Sequence, residues 1–213
     1  PHPDDETLGC GGTLLRRKAE GGVLGWLIVT GMEEQSGWSD EQIRQREEEI
    51  ARVASLTSFD QVFNLGLPAT RLDTLPMREL VAAFSSVFKS FEPEELLVPH
   101  RGDVHSDHRV IFDTVAACAK WFRYPSVRRV LAYETISETE FGLSQETTFH
   151  PNFFIDIGNY LERKLEVMSV YKSELGEFPF PRSIRAIRSL AEWRGASAGY
   201  QAAEAFELLR ERQ

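Results

Sequence analysis

Two short polar clusters carry residue types and spacings that could do chemistry. The first is His2-Pro3-Asp4-Asp5-Glu6. His2 and Asp5 stand three apart at an expected strand-to-helix turn and can bend toward one centre, while Asp4, between them, projects elsewhere. An imidazole beside a carboxylate suits zinc or another borderline divalent ion. The same acids could instead complement the positive end of a helix dipole, and this cluster alone does not decide between the two. The second cluster is Asp103-Val104-His105-Ser106-Asp107-His108, and His100, His105 and His108, three of the five histidines, fall within nine residues. Together the clusters can supply three protein ligands and leave a position open for water, the arrangement of a catalytic zinc site. A structural zinc site is disfavoured, because Cys10 and Cys118 are isolated from the histidines.

These residues need elements to position them. Leu8 to Glu20 reads as a helix ending at Gly21-Gly22, and Val23 to Thr30 as a buried strand. Ser39-Asp40-Glu41-Gln42 matches a capping box that opens a helix running to about Leu56. Gln61 to Leu65 is a strand, Pro76 to Phe91 a helix, Glu95 to Pro99 a strand, Asp107 to Phe122 a helix and Val130 to Glu134 a strand. Strands separated by single helices are βαβ units, which build a mostly parallel sheet covered on both faces, with ligands beyond the carboxyl ends of the strands. The helix that follows His2 has no strand before it. A strand is therefore expected upstream of Pro1; the alternative is a polar cluster on a free, fraying terminus.

The composition fits one ordinary α/β domain: 213 residues, 42% hydrophobic and 27% charged, with no internal repeat or linker-like tract. A formal charge of -9 gives no blanket attraction for nucleic acid or an anionic membrane. Two cysteines exclude a disulfide scaffold and favour a reducing, cytoplasmic setting. No apolar run approaches the roughly 20 residues that span a bilayer.

The segment from Pro1 to Thr13, PHPDDETLGCGGT, followed by Val29-Thr30-Gly31 and by Asp103-x-His-x-Asp-His108, resembles the PIG-L/LmbE-like family of zinc-dependent N-acetylglucosamine deacetylases. The resemblance continues through Tyr133-Glu134, the stretch from His150 to Asp156, Lys164, Tyr171, Ser173, Arg194-Gly195 and Ala203 to Phe206, and so covers nearly the whole chain. It implies a Rossmann-like three-layer sandwich, one domain over residues 1–213, with the first motif following the first strand of the sheet. It implies Zn2+, with Fe2+, Co2+ or Mn2+ able to use the same ligands, held by His2, Asp5 and His108. Asp4 is similar to the family's general base and His105 to the residue that steadies the tetrahedral intermediate, as a protonated ring that can also return a proton to the amine. Asp107 is placed to orient an imidazole. Arg46 is similar to a family arginine near the site, with Arg44 the alternative. Ser106 stands where a proline is frequent and His100 where an asparagine is, departures that remove no ligand.

The implied reaction removes the N-acetyl group of an N-acetylglucosaminyl conjugate, a small-molecule or lipid-linked amino sugar, and releases acetate. The rivals are a zinc amidase of the same fold acting on another amide, such as a thiol conjugate, and a zinc- or sugar-binding module without turnover. Further candidates are weaker. Trp38 could stack on a sugar ring or be a chance exposed aromatic. Arg182, Arg185 and Arg188 recur at helical spacing and would share one face, either reaching a phosphate on the substrate or simply facing solvent. His150 could line the pocket. The glycines from Gly9 to Gly12 match no phosphate-binding fingerprint and are expected to permit close helix packing. Cys10 reads as a small buried thiol.

Overall fold

Side chains on successive residues of a strand point to opposite faces, and here that alternation sorts the strands' apolar residues into two cores. The computed structural model describes residues 1–32 and 37–213. Strand β1 (Gly25–Gly31) pairs in parallel with β2 (Gln61–Pro68). A second sheet has the order β3 (Glu95–Pro99), β4 (Arg129–Tyr133), β6 (Ala203–Glu211), β5 (Phe153–Asp156). Six helices connect them: α1 (Asp5–Ala19), α2 (Asp40–Thr57), α3 (Met77–Phe91), α4 (Ser106–Cys118), α5 (Leu161–Met168) and α6 (Ile184–Ala198). Trp26 and Ile28 of β1, with Leu131 and Tyr133 of β4, join Leu8, Leu165 and Ile187 in one core. Their neighbours Val29, Val130 and Ala132 join Phe84, Ile111 and Val115 in the other. Helices thus cover both faces of a mixed α/β fold, and each fully buried Val, Leu, Ile or Phe contributes about 1.5–3 kcal/mol.

The parallel pattern read from the sequence applies to half of the pairings. β1 with β2 and β3 with β4 are parallel, whereas β6 runs antiparallel to both β4 and β5. The cause lies in the connection. β5 and β6 are joined by two helices instead of one, so the chain enters β6 from the opposite end. Boundaries shift modestly: α1 begins at Asp5, before Leu8; α4 starts at Ser106 and ends at Cys118, short of Phe122; β2 runs on to Pro68. The capping box forms as read, with Gln42 N donating to Ser39 Oγ at 3.3 Å and Ser39 N to Gln42 Oε1 at 3.0 Å.

Among the described residues β1 and β3 do not pair. Between them lies a cavity of about 960 Å³, lined by Leu24, Trp26, Val29, Phe88, Leu96 and Val98 among others. Pro1 sits at one end of it, buried, and its carbonyl accepts from Val29 N at 3.2 Å and Thr30 N at 3.1 Å. The polar cluster beginning at His2 therefore hangs from a backbone tied to β1.

Close packing also constrains α1. A Cβ on Gly12 would lie 2.8 Å from Ile157 Cδ1, and one on Gly11 no nearer than 3.4 Å to any neighbour. Gly12→Ala is expected to cost about 1–3 kcal/mol through overpacking, while Gly11→Ala gains up to about 1 kcal/mol of helix propensity. Thermal denaturation of the two variants checks this, and equal midpoints would refute it.

Candidate metal centre and active site

One carboxylate oxygen gathers the first cluster and part of the second. Asp5, in the first turn of α1, places Oδ2 3.1 Å from His2 Nδ1 and 3.2 Å from His108 Nε2, and receives His2 N at 2.9 Å. His108 lies in the first turns of α4, just after the loop that leaves β3. Its Nδ1 is 2.8 Å from Asp103 Oδ2, and Asp103 Oδ1 accepts from Thr139 Oγ1 at 2.6 Å. A carboxylate on one ring nitrogen fixes the tautomer and turns the other toward the centre. His108 Nε2 is buried 3.2 Å from Asp5 Oδ2 as an ion-pair contact, with no geometrically formed hydrogen bond among the described residues.

Two groupings have ligand atoms that all lie within 4.8 Å of one another: His2, Asp5 and His108, and His2, His105 and Asp107. Hydrogen bonding separates them. Asp107 Oδ2 already lies 3.1 Å from His2 Nε2 and accepts from Thr70 N at 2.7 Å, Asp107 Oδ1 accepts from Leu72 N at 3.3 Å, and His105 Nδ1 accepts from Asp107 N at 3.1 Å. Only the first grouping contains a buried ring nitrogen without a partner. Its 3.1 and 3.2 Å separations are close to the roughly 3.3 Å between neighbouring ligand atoms that tetrahedral bonds of about 2.0 Å impose. The donor set fits a borderline divalent ion.

Asp4 stands apart from both groupings. It precedes α1 with φ 131° and ψ -32°, a backbone region that costs a non-glycine residue about 1–3 kcal/mol. That turn is held by Asp4 N donating to Glu6 Oε2 at 3.0 Å and by Tyr171 Oη donating to Glu6 Oε1 at 2.9 Å. Arg182 Nη1 lies 3.5 Å from Asp4 Oδ2 and 3.6 Å from Glu174 Oε2, and Arg182 Nε is buried without a partner.

Burial shifts these groups in opposite senses. Burial, reinforced by Asp5, Glu174 and Glu6, raises the Asp4 carboxyl well above its ordinary range. Asp5 is also buried, but His108 and His2 outweigh that and hold it well below the usual range. Burial tends to lower His108, yet Asp5 and Asp103 push it up to about 9. Burial and the neighbouring imidazoles of His2 and His108 lower His105 to about 4. Both influences favour the neutral ring. The neutral ring uses Nδ1 as an acceptor for Asp107 N, which leaves Nε2–H as the donor.

The other expected residues divide. Arg46 is buried, but its guanidinium is engaged by the Pro3 carbonyl at 2.9 Å, by Glu49 at 3.3 Å and by Glu174. It braces the loop that carries Asp4. Arg44 is exposed and paired with Glu41. The three spaced arginines do not share a face, because α6 starts only at Ile184, capped by Ser183: Arg182 reaches Asp4, Arg185 lies over Phe178 and Arg188 pairs with Glu162. Trp38 is exposed next to residues 33–36, which lie outside the described residues, and no contact among those described ties it to the centre. His100 is buried against Phe149 and Glu207, and His150 is exposed; neither joins a metal grouping. Cys10 Sγ donates to the Glu6 carbonyl at 3.3 Å. The supporting roles of Asp103, Glu6, Tyr171 and Glu174 were not assigned from the sequence. Asp103 was within reach, five residues before His108 in the same cluster; Glu174 had no local signal.

The family model described as GlcNAc-PI de-N-acetylase, PIG-L, matches residues 1–119. An uncharacterized deacetylase of Escherichia coli, YaiS, is 26% identical over 179 residues, 81% of this chain and 87% of that protein. The diacetylchitobiose deacetylase of Thermococcus kodakarensis is 24% identical over 221 residues, 98% of this chain and 80% of that one. The crystal structure of the conserved protein TT1542 from Thermus thermophilus superposes with a TM-score of 0.79 at 27% identity, covering 100% of this chain and 93% of that one. Matched by its family model over 119 of 213 residues, and similar along most of its length to named deacetylases, the chain belongs to the PIG-L family of amide-hydrolysing enzymes.

Proposed function

We propose that this protein is a metal-dependent hydrolase that removes the N-acetyl group from an N-acetylglucosaminyl conjugate and releases acetate. The observation that carries the reading is the convergence of His2, Asp5 and His108 on one point, with His108 Nε2 buried and partnerless. These three side chains would hold Zn2+ or a similar ion. When bound, such an ion polarises the scissile carbonyl and lowers the pKa of water toward neutrality.

The chain's own residues supply the rest. Asp4, just outside the ligand set, takes a proton from the attacking water, and its raised pKa brings it nearer the working pH of a general base. Arg182 beside it keeps the carboxylate oriented and available as an anion. His105, as a neutral Nε2–H donor, stabilises the negative charge that develops on the carbonyl oxygen, a contribution of roughly 3–4 kcal/mol for one well-placed donor. Asp4 then returns the proton to nitrogen, so that one water and one amide become acetate and an amine. Asp107 orients His2, and Arg46 fixes the Pro3 carbonyl from behind. The fold is read as a Rossmann-like three-layer sandwich whose site lies beyond the carboxyl ends of its parallel strands. The same reading treats residues 1–213 as one domain. Both cysteines are free, which suits a reducing, cytoplasmic setting.

The test is metal analysis of purified protein, with acetate release followed on N-acetylglucosamine, diacetylchitobiose and a GlcNAc-inositol conjugate. Chelation should abolish release and added zinc restore it. Release of larger acyl groups but not acetate would favour an amidase for another conjugate, and bound metal without turnover a binding module. His108→Ala should lose both metal and turnover, whereas Asp4→Asn should keep metal and lose about 10²–10⁴-fold in kcat; an active Asp4→Asn variant would remove Asp4 from its role. Asp103→Asn, which leaves every ligand in place, should weaken metal binding about 10–100-fold in a competitive chelator titration. Unchanged affinity would show that Asp103 does not support His108.

A further inference from the structure

Helix α1 is broken. Cys10 departs from helical geometry, with φ -146° and ψ 18°, so that a short segment, Asp5 to Gly9, is set at an angle to the longer one from Gly11 onward. Helices kink in this way where a side chain enters the backbone ladder. Two side chains from remote elements do so. Lys164 Nζ, from α5, donates to the Leu8 carbonyl at 2.8 Å. Glu204, from β6, accepts Gly12 N on Oε1 at 2.8 Å and Thr13 N on Oε2 at 2.7 Å. Lys164 Nζ and Glu204 Oε1 are themselves 2.7 Å apart, and both residues are buried.

The placement of the two charges follows the helix dipole. An unbroken helix would join the Leu8 carbonyl to Gly12 N–H, four residues on. At the break the ammonium takes the carbonyl end of the first segment and the carboxylate the amide end of the second, each charge facing the partial charge it complements. A buried ion pair is poor evidence of a stabilising role, because an apolar pair of similar volume often serves as well or better. An apolar pair here could satisfy neither the Leu8 carbonyl nor the Gly12 and Thr13 amides. What the short segment carries is Asp5, with Asp4 immediately before it and His2 three residues before it. Neither Lys164 nor Glu204 touches the His/Asp centre.

We propose that the Lys164–Glu204 ion pair is a positioning device that fills the break in α1 and sets the angle at which the His2–Asp5 segment enters the metal centre. The proposal rests on the metal-centre reading for its functional consequence, but the local consequence can be measured without metal.

The test uses Lys164→Met and Glu204→Gln in the full chain, with Phe84→Leu in the opposite core as a control for general loss of stability. Amide hydrogen exchange of metal-free protein should show protection lost selectively over residues 5–13 in both variants and not in the control. Zinc affinity, measured well below each melting temperature, should fall about 10–100-fold, the range for residues that support metal ligands, while Phe84→Leu leaves it unchanged. If Lys164→Met does not fold, Glu204→Asp, which keeps the charge but shortens the reach to the two amides, carries the same comparison. Exchange that rises evenly along α1, or zinc affinity that falls no further than in the control, would overturn the proposal. Absence of zinc binding by the unmodified protein would overturn the metal reading instead, and the exchange comparison would still decide whether the pair holds the break.

Discussion

Three consecutive carboxylates, Asp4, Asp5 and Glu6, are buried at the start of one helix, with accessibilities of 4%, 4% and 8%. Removing a single charge from water costs several kcal/mol unless partners offset it. Three in sequence, repelling one another, require compensation from three directions, and much of the structure can be read as its supply. Asp5 is met by the imidazoles of His2 and His108. Glu6 is met by the Tyr171 hydroxyl, Thr7 and the Asp4 amide. Among the described residues Asp4 is met by Arg182 alone, at 3.5 Å, and burial together with the neighbouring carboxylates raises its proton affinity. The acid that is least well compensated is the one to which the proposed reaction gives the proton.

The compensating groups come from remote parts of the chain. His108 arrives on α4, Tyr171 from the turns after α5, and Arg182 from the stretch before α6. The packing that delivers them is the sorting of alternate strand residues into two cores. Asp103 and Asp107 extend the same logic to the second cluster: each is buried, and each is satisfied by an imidazole together with a hydroxyl or backbone amides. The site thus has a ring of directed donors around its carboxylates, and the one buried ring nitrogen without a hydrogen-bond partner among the described residues, His108 Nε2, faces Asp5 within it.

What was legible in the sequence was what leaves a local trace. The βα alternation through Tyr133, the Ser39 capping box and both polar clusters are matters of spacing within a few residues, and the elements form close to where those patterns place them. The antiparallel β5 and β6 left no comparable trace, because strand direction depends on how many helices intervene, and α5 and α6 were not recognised. The shared face expected of Arg182, Arg185 and Arg188 failed for a local reason: Ser183 caps α6, so Arg182 precedes the helix whose period was being counted. Glu174 and Glu204 act across the fold through single contacts with partners far away in sequence, and no spacing rule reports such a contact.

The protonation states show why burial had to be seen and could not be inferred from residue type. In water an imidazole holds a proton more tightly than a carboxylate by more than two pKa units. Burial disfavours whichever form is charged, so it moves an acid up and a base down. At this site it raises Asp4 and, with the neighbouring imidazoles of His2 and His108, lowers His105 to about 4, so the two groups shift toward one another. His105 Nδ1 is independently committed as an acceptor to Asp107 N. Burial thus pushes Asp4 toward its protonated form and His105 toward its neutral one. The proposed division of labour, with Asp4 as proton carrier and His105 as neutral donor, uses each group in the direction in which burial shifts it.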